Sequence, residues 1–133
     1  MMKTIEQVIN EEGFIIREIK GNSMYPLLRN GKDVVRLIKP DIINKGDVVL
    51  FLRKQDDYVL HRVIKCTDSG YIIKGDNCLE KEIVSKEQII AVMDGIYKSG
   101  RYYDKNHIKV KKYKLLRFIN YPLCFIRKII HKI

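Results

Sequence analysis

The sequence predicts a mainly β domain: a coiled, antiparallel, barrel-like core with a short helix before it and basic amphipathic helices after it. Three observations carry this. Six short segments rich in β-branched and aromatic residues occupy positions 14–97. Turn signals separate them, and both ends of the chain switch to helical spacing. With 133 residues, 46% of them hydrophobic, a single folded domain with one core is expected.

The elements follow in order. Thr4 to Glu12 sets Ile5, Val8 and Ile9 at helical spacing, and Gly13 suits a C-cap. Strands are predicted at 14–19, 33–38, 47–52, 58–64, 71–74 and 89–97. Between them lie Asn30-Gly31, Asn44-Lys45-Gly46, Asp56-Asp57 and Asp68-Ser69-Gly70, all turn formers. Ser85 and Gln88 match a capping box and predict one helical turn. A last hairpin is expected around Ser99-Gly100, with Tyr102 and Tyr103 on its return strand. From Pro122 onward, Leu123, Phe125, Ile126, Ile129, Ile130 and Ile133 interleave with Arg127, Lys128, His131 and Lys132. That is the pattern of a basic amphipathic helix, with another short helix predicted over Lys111 to Ile119.

Charge divides the chain at the same place. Residues 1–97 hold 15 Lys+Arg and 15 Asp+Glu, whereas residues 98–133 hold 11 Lys+Arg and one acid, Asp104. The expected organisation is therefore a neutral β domain, 1–110, and a basic tail, 111–133, suited to an anionic membrane surface. Nucleic acid is not an expected partner, since the tail alternates bulky aliphatics with its charges. Cys66, Cys78 and Cys124 form no disulfide framework or zinc spacing, so no metal or other cofactor is expected. The first residues contain no apolar leader, and no apolar run approaches the roughly 20 residues that span a bilayer. The expected location is cytoplasmic, or peripheral at the cytoplasmic membrane.

Three residues are candidates for chemistry. Ser23 lies in Gly21-Asn22-Ser23-Met24-Tyr25-Pro26, where the glycine permits a sharp turn and the proline fixes the next one. A serine there can face a cleft, with backbone N–H groups, chiefly its own, stabilising an oxyanion. His61 alternates with Val59 and Val63 on one face of its predicted strand. If the following turn centres near Asp68-Ser69, paired residue numbers sum to about 137, which sets Asp76 opposite His61, give or take two residues. A carboxylate beside an imidazole fixes its tautomer, as in a Ser-His-Asp triad. Taken singly, each has a structural explanation as well: a turn serine, a core histidine, a loop-capping aspartate.

In combination these blocks resemble a family. Gly21-x-Ser23-Met24-x-Pro26, then Gly46-Asp47 with the valines that follow, then His61-Arg62-Val63, then Gly75-Asp76-Asn77 occur in the order seen in type I signal peptidases and LexA-type self-cleaving proteins. The histidine resembles the form found in the endoplasmic reticulum and in archaea, where the bacterial type has a lysine base. The resemblance covers about residues 13–97 and implies a coiled β fold, a Ser23 nucleophile, a His61 base and cleavage of extended peptides such as leaders or signal peptides. The family's second acidic position falls near Glu82. The expectation is thus a serine endopeptidase acting on a peptide or protein substrate without a cofactor. The alternative is a non-catalytic peptide-binding module of the same fold.

Overall fold

The structure, a computed structural model, describes residues 2–107 and 110–112. The chain opens with helix α1 (Ile5–Glu12). Its start is fixed by a reciprocal cap: Gln7 N donates to Thr4 Oγ1 at 3.1 Å and Thr4 N to Gln7 Oε1 at 2.8 Å. Its end is Gly13, whose φ of 88° is the left-handed conformation that terminates helices.

Eight strands follow: β1 (Phe14–Glu18), β2 (Val34–Ile38), β3 (Val48–Leu52), β4 (Tyr58–Cys66), β5 (Gly70–Lys74), β6 (Glu82–Ser85), β7 (Ile89–Lys98) and β8 (Arg101–Asp104). One turn of 3-10 helix, Lys86–Gln88, sits between β6 and β7. All pairings are antiparallel and form one sheet in the order β1-β2-β7-β3-β4-β5-β6, with β8 paired to β7. The mainly β architecture is as expected, but among the described residues no pairing joins the edge strands β1 and β6, so the barrel-like core is an unclosed sheet.

The sheet nonetheless buries both faces at its centre. In β3, Val48 and Leu50 enter a large cluster with Ile9, Ile15, Leu37 and Met93, while Val49 and Phe51 enter a smaller one with Val63, Ile73 and Val84. Continuous apolar runs such as that of β3 are what a strand buried on both faces requires. Each fully buried aliphatic side chain contributes roughly 1.5–3 kcal/mol. Sequence patterning missed β6, whose exposed Ile83 and buried Val84 give no clear alternation over four residues.

Val110, beside the expected boundary, is buried in the large cluster, so the chain still contacts the core at that point. The tail helices expected at 111–119 and from Pro122 lie outside the described residues, apart from 111 and 112.

Candidate functional site

Ser23 stands on the loop between β1 and β2. The neck of that loop is closed by backbone bonds from Ile19 N to Asp33 O (3.0 Å) and Gly31 N to Ile19 O (2.8 Å). Asp33, fully buried, reinforces the neck by accepting from Arg29 N, the Arg29 guanidinium and Lys98 Nζ. Inside the loop, Gly21 adopts φ 81° and its N–H is bound by Asn30 Oδ1, while Met24, Leu27 and Leu28 are buried as apolar anchors. These anchors leave Ser23 half-buried.

The Ser23 loop is sewn to the turn after β5. Asn77 N donates to Ser23 O at 2.8 Å, Asn77 Nδ2 to Asn22 O at 2.9 Å, and Asp76 N points at Met24 Sδ at 3.4 Å. Gly75 lies beneath this seam. A Cβ there would stand 2.7 Å from Ser23 O and 3.0 Å from His61 Nε2, so only glycine lets the serine loop and the imidazole approach so closely.

The ladder runs one residue off the expected sum at His61, within the expected tolerance of two, but that one residue changes the partner of Asp76. Near the turn, Cys66 pairs with Tyr71 and Lys65 with Ile72, which keeps the expected sum. A bulge at Ile64 then shifts the ladder, so Val63 pairs with Ile73 and Arg62 with Lys74. A one-residue shift exchanges the faces of the sheet. Asp76 therefore falls on the side of Arg62, whose Nε and Nη2 donate to its two carboxylate oxygens at 2.7 and 2.8 Å. Both side chains are almost fully buried. Arg62 Nη1 also donates to Gly46 O at 2.7 Å, and Gly46 N to Val63 O, so the Gly46-Asp47 turn holds the guanidinium in place.

Glu82 is the carboxylate that faces His61. Its Oε1 lies 3.7 Å from His61 Nδ1, too long for a hydrogen bond but close for a charge. Arg53 grips the same carboxylate, with Nε donating to Oε2 at 3.0 Å and Nη2 to Oε1. The imidazole packs edge-on to Phe51 and its Nδ1 is buried without a hydrogen bond. Burial pushes its pKa below the ordinary value of 6.5. Glu82 and, more weakly, Asp76 oppose that shift, and Arg53 adds to it. Burial thus favours the neutral imidazole, the form a general base requires.

Ser23 and His61 border one groove of about 560 Å³. Met24, Leu37, Leu50 and Leu60 make its walls apolar, Ile5 of α1 reaches one side, and Arg53, Arg17 and Lys20 bring positive charge. Sequence reading missed Arg53 and the pairing role of Arg62. The signal available for Arg62 was its place next to His61, facing the opposite side of β4. Among the described residues no group of three His, Cys, Asp or Glu side chains could hold a metal ion, and no helix is long and apolar enough to cross a membrane. No family model matches the chain, and no curated protein matches it.

Proposed function

We propose that this protein is a serine endopeptidase of the signal-peptidase and LexA type, cleaving extended peptides by a Ser23–His61 mechanism. The observation that carries the reading is the shared groove: a half-buried turn serine opens onto the same cavity as a buried imidazole whose burial favours the neutral form. His61 takes the Ser23 proton as Ser23 attacks the scissile carbonyl, and the Ser23 N–H supports the oxyanion. His61 then protonates the leaving amine, and water releases the acyl-enzyme. Glu82 stabilises the imidazolium through its charge. Asp76 and Arg62 hold the serine loop rather than the base.

The substrate lies extended along the apolar groove, with backbone bonds to a strand edge and, by the family resemblance, small side chains near the cleaved bond. Leader or signal-peptide-like processing is the task such a groove suits. On sequence pattern alone, residues 112–133 bring the enzyme to an anionic membrane surface. Sedimentation of the full chain with anionic against neutral vesicles tests that step.

The mechanism is tested by a fluorophosphonate probe and by mass spectrometry of candidate peptides. Covalent labelling at Ser23 and peptide cleavage are expected. Both are to fall by about a thousandfold or more in Ser23→Ala and His61→Ala proteins that remain folded. Peptide binding without labelling or cleavage would instead favour a non-catalytic binding module.

A further inference from the structure

We propose that the cavity between the Gly46 turn and the segment after β8 is a binding site for a dianionic phosphate group, free or on a lipid headgroup. The inference goes beyond the peptidase reading and does not depend on it.

The cavity holds about 320 Å³, within the roughly 300–1,000 Å³ range of small-ligand sites. It shares no lining residue with the Ser23–His61 groove. Val48, Met93 and Val110, all buried, give it an apolar floor. One wall is the turn at residues 44–47. There Asp47 N donates to Asn44 O at 3.1 Å, Asn44 N to Asp47 Oδ2 at 2.8 Å, and Gly46 N to Val63 O at 2.8 Å. The facing wall includes Lys105, Asn106 and Lys111. Lys105 N donates to Asp94 O at 2.9 Å and Asn106 N to Asp104 Oδ1 at 2.7 Å. Backbone bonds thus set both walls in advance, which lowers the ordering cost of binding.

Charge decides what the cavity takes. Four cations line it, Lys45, Arg62, Lys105 and Lys111, against a single carboxylate, Asp47. Arg62 is already neutralised by Asp76, and its remaining nitrogen donates to Gly46 O. Lys105 Nζ stands 3.9 Å from Asp47 Oδ1. Among the described residues, neither Lys45 nor Lys111 forms a side-chain hydrogen bond or ion pair. Residues 113–133 contain no Asp or Glu, so no acidic side chain of the tail can cover them. The cavity therefore carries two positive charges beyond those its own carboxylates balance, with Asn44 and Asn106 beside them as amide donors. A phosphate monoester, with a charge of about −1.5 to −2 at neutral pH and three acceptor oxygens, matches that surplus. A carboxylate or a phosphodiester brings a single charge. Lysine serves phosphate as a point charge and needs no forked geometry.

The full chain, labelled with nitrogen-15, is titrated near neutral pH and at fixed ionic strength with inorganic phosphate and with dimethyl phosphate. Phosphate is expected to give saturable amide shifts centred on residues 44–48 and 105–111, and the singly charged diester to bind several-fold more weakly. Lys45→Gln and Lys111→Gln should each weaken phosphate binding about tenfold, since each removes a charge-assisted hydrogen bond. Lys112→Gln, one residue along but outside the cavity, should leave it unchanged. Vesicles separate the two sources. Phosphatidylcholine vesicles carrying phosphatidic acid are compared with vesicles of equal surface charge carrying phosphatidylglycerol. Tighter retention on phosphatidic acid, lost in Lys45→Gln and kept in Lys112→Gln, assigns the site to a lipid headgroup. Equal retention on both, with phosphate binding intact, assigns it to a free phosphate compound. Shifts that do not saturate, or that lie elsewhere on the protein, overturn the proposal. So does a loss in Lys112→Gln as large as in Lys111→Gln, because binding would then follow the charge of the tail and not the cavity.

Discussion

The Glu82 carboxylate faces the His61 imidazole across 3.7 Å, and the Arg53 guanidinium holds it there. The arrangement sets two opposite charges against one buried base. Burial lowers the His61 pKa first, Glu82 raises it, and Arg53 lowers it again.

Activity should therefore rise with pH through a midpoint below 6.5, the ordinary histidine value. Glu82→Gln removes the raising charge and moves the midpoint lower still. Arg53→Met removes a lowering charge and moves it higher. The rate above the midpoint should drop roughly 10- to 100-fold in Glu82→Gln, since the imidazolium loses its nearby anion. Rates of Ser23 labelling against pH for the three proteins supply the check. Shifts of the opposite sign would show that Glu82 and Arg53 do not act on the base.

Asp76→Asn should act on stability before it acts on chemistry. The change removes the negative charge that partners the buried Arg62 cation and puts an amide donor in place of one of the two acceptor oxygens, and breaking a buried pair costs about 3–5 kcal/mol. Urea titration should show the loss. If Asp76→Asn keeps wild-type stability but loses activity with a displaced pH profile, Asp76 serves the base and the assignment made here to Glu82 is wrong.

The neck of the serine loop carries a second buried pair. Burial pushes the Asp33 carboxyl up, but hydrogen bonds from Arg29 and Lys98 outweigh it and leave its pKa below the ordinary value of 3.8. A carboxylate held low in the folded state stabilises the protein above its unfolded pKa and loses that contribution as pH falls through the folded value. Lys98→Met removes one of the two cations. The variant should lose about 3 kcal/mol at neutral pH. Its melting temperature should also depend less on pH in the acid range than that of the wild type. Equal acid dependence in both proteins would remove Lys98 from the network.

Much of this was legible in the sequence for identifiable reasons. Helix α1 was, because Thr4, Gln7 and Gly13 carry both of its caps. Strands β2, β3, β4 and β7 were, because β-branched runs end at residues that turn. Motif order singled out Ser23 and His61, and the structure sets both on one groove. The acid was not legible, because the bulge at Ile64 changes register by one residue and leaves no mark in the alternation of β4. Pairing numbers counted from the turn are correct at Lys65 and wrong at His61. Glu82 was visible only as a family position, since β6 is too short to show which way its side chains point.

Gly75 allows the most specific test of the site. Three groups converge on it, and they differ in how far they can yield. Cys78 Sγ, at the end of a side chain, can rotate away. Ser23 O cannot, since it is backbone and is bound by Asn77 N at 2.8 Å. His61 is confined by Phe51 and by its own burial. A methyl group at Gly75 must therefore push the serine loop and the imidazole apart by several tenths of an ångström. Overpacking of this kind costs about 1–3 kcal/mol, which the fold should survive. Catalysis should not survive it as well, because a misplacement approaching 1 Å between reacting groups costs about a hundredfold. Gly75→Ala is thus expected to melt cooperatively, a few degrees low, while Ser23 labelling falls on the order of a hundredfold. The same methyl should leave the His61 midpoint on the pH axis nearly unchanged, because it alters neither Glu82 nor Arg53. A Gly75→Ala protein that labels at the wild-type rate would mean that Ser23 and His61 do not work across this glycine.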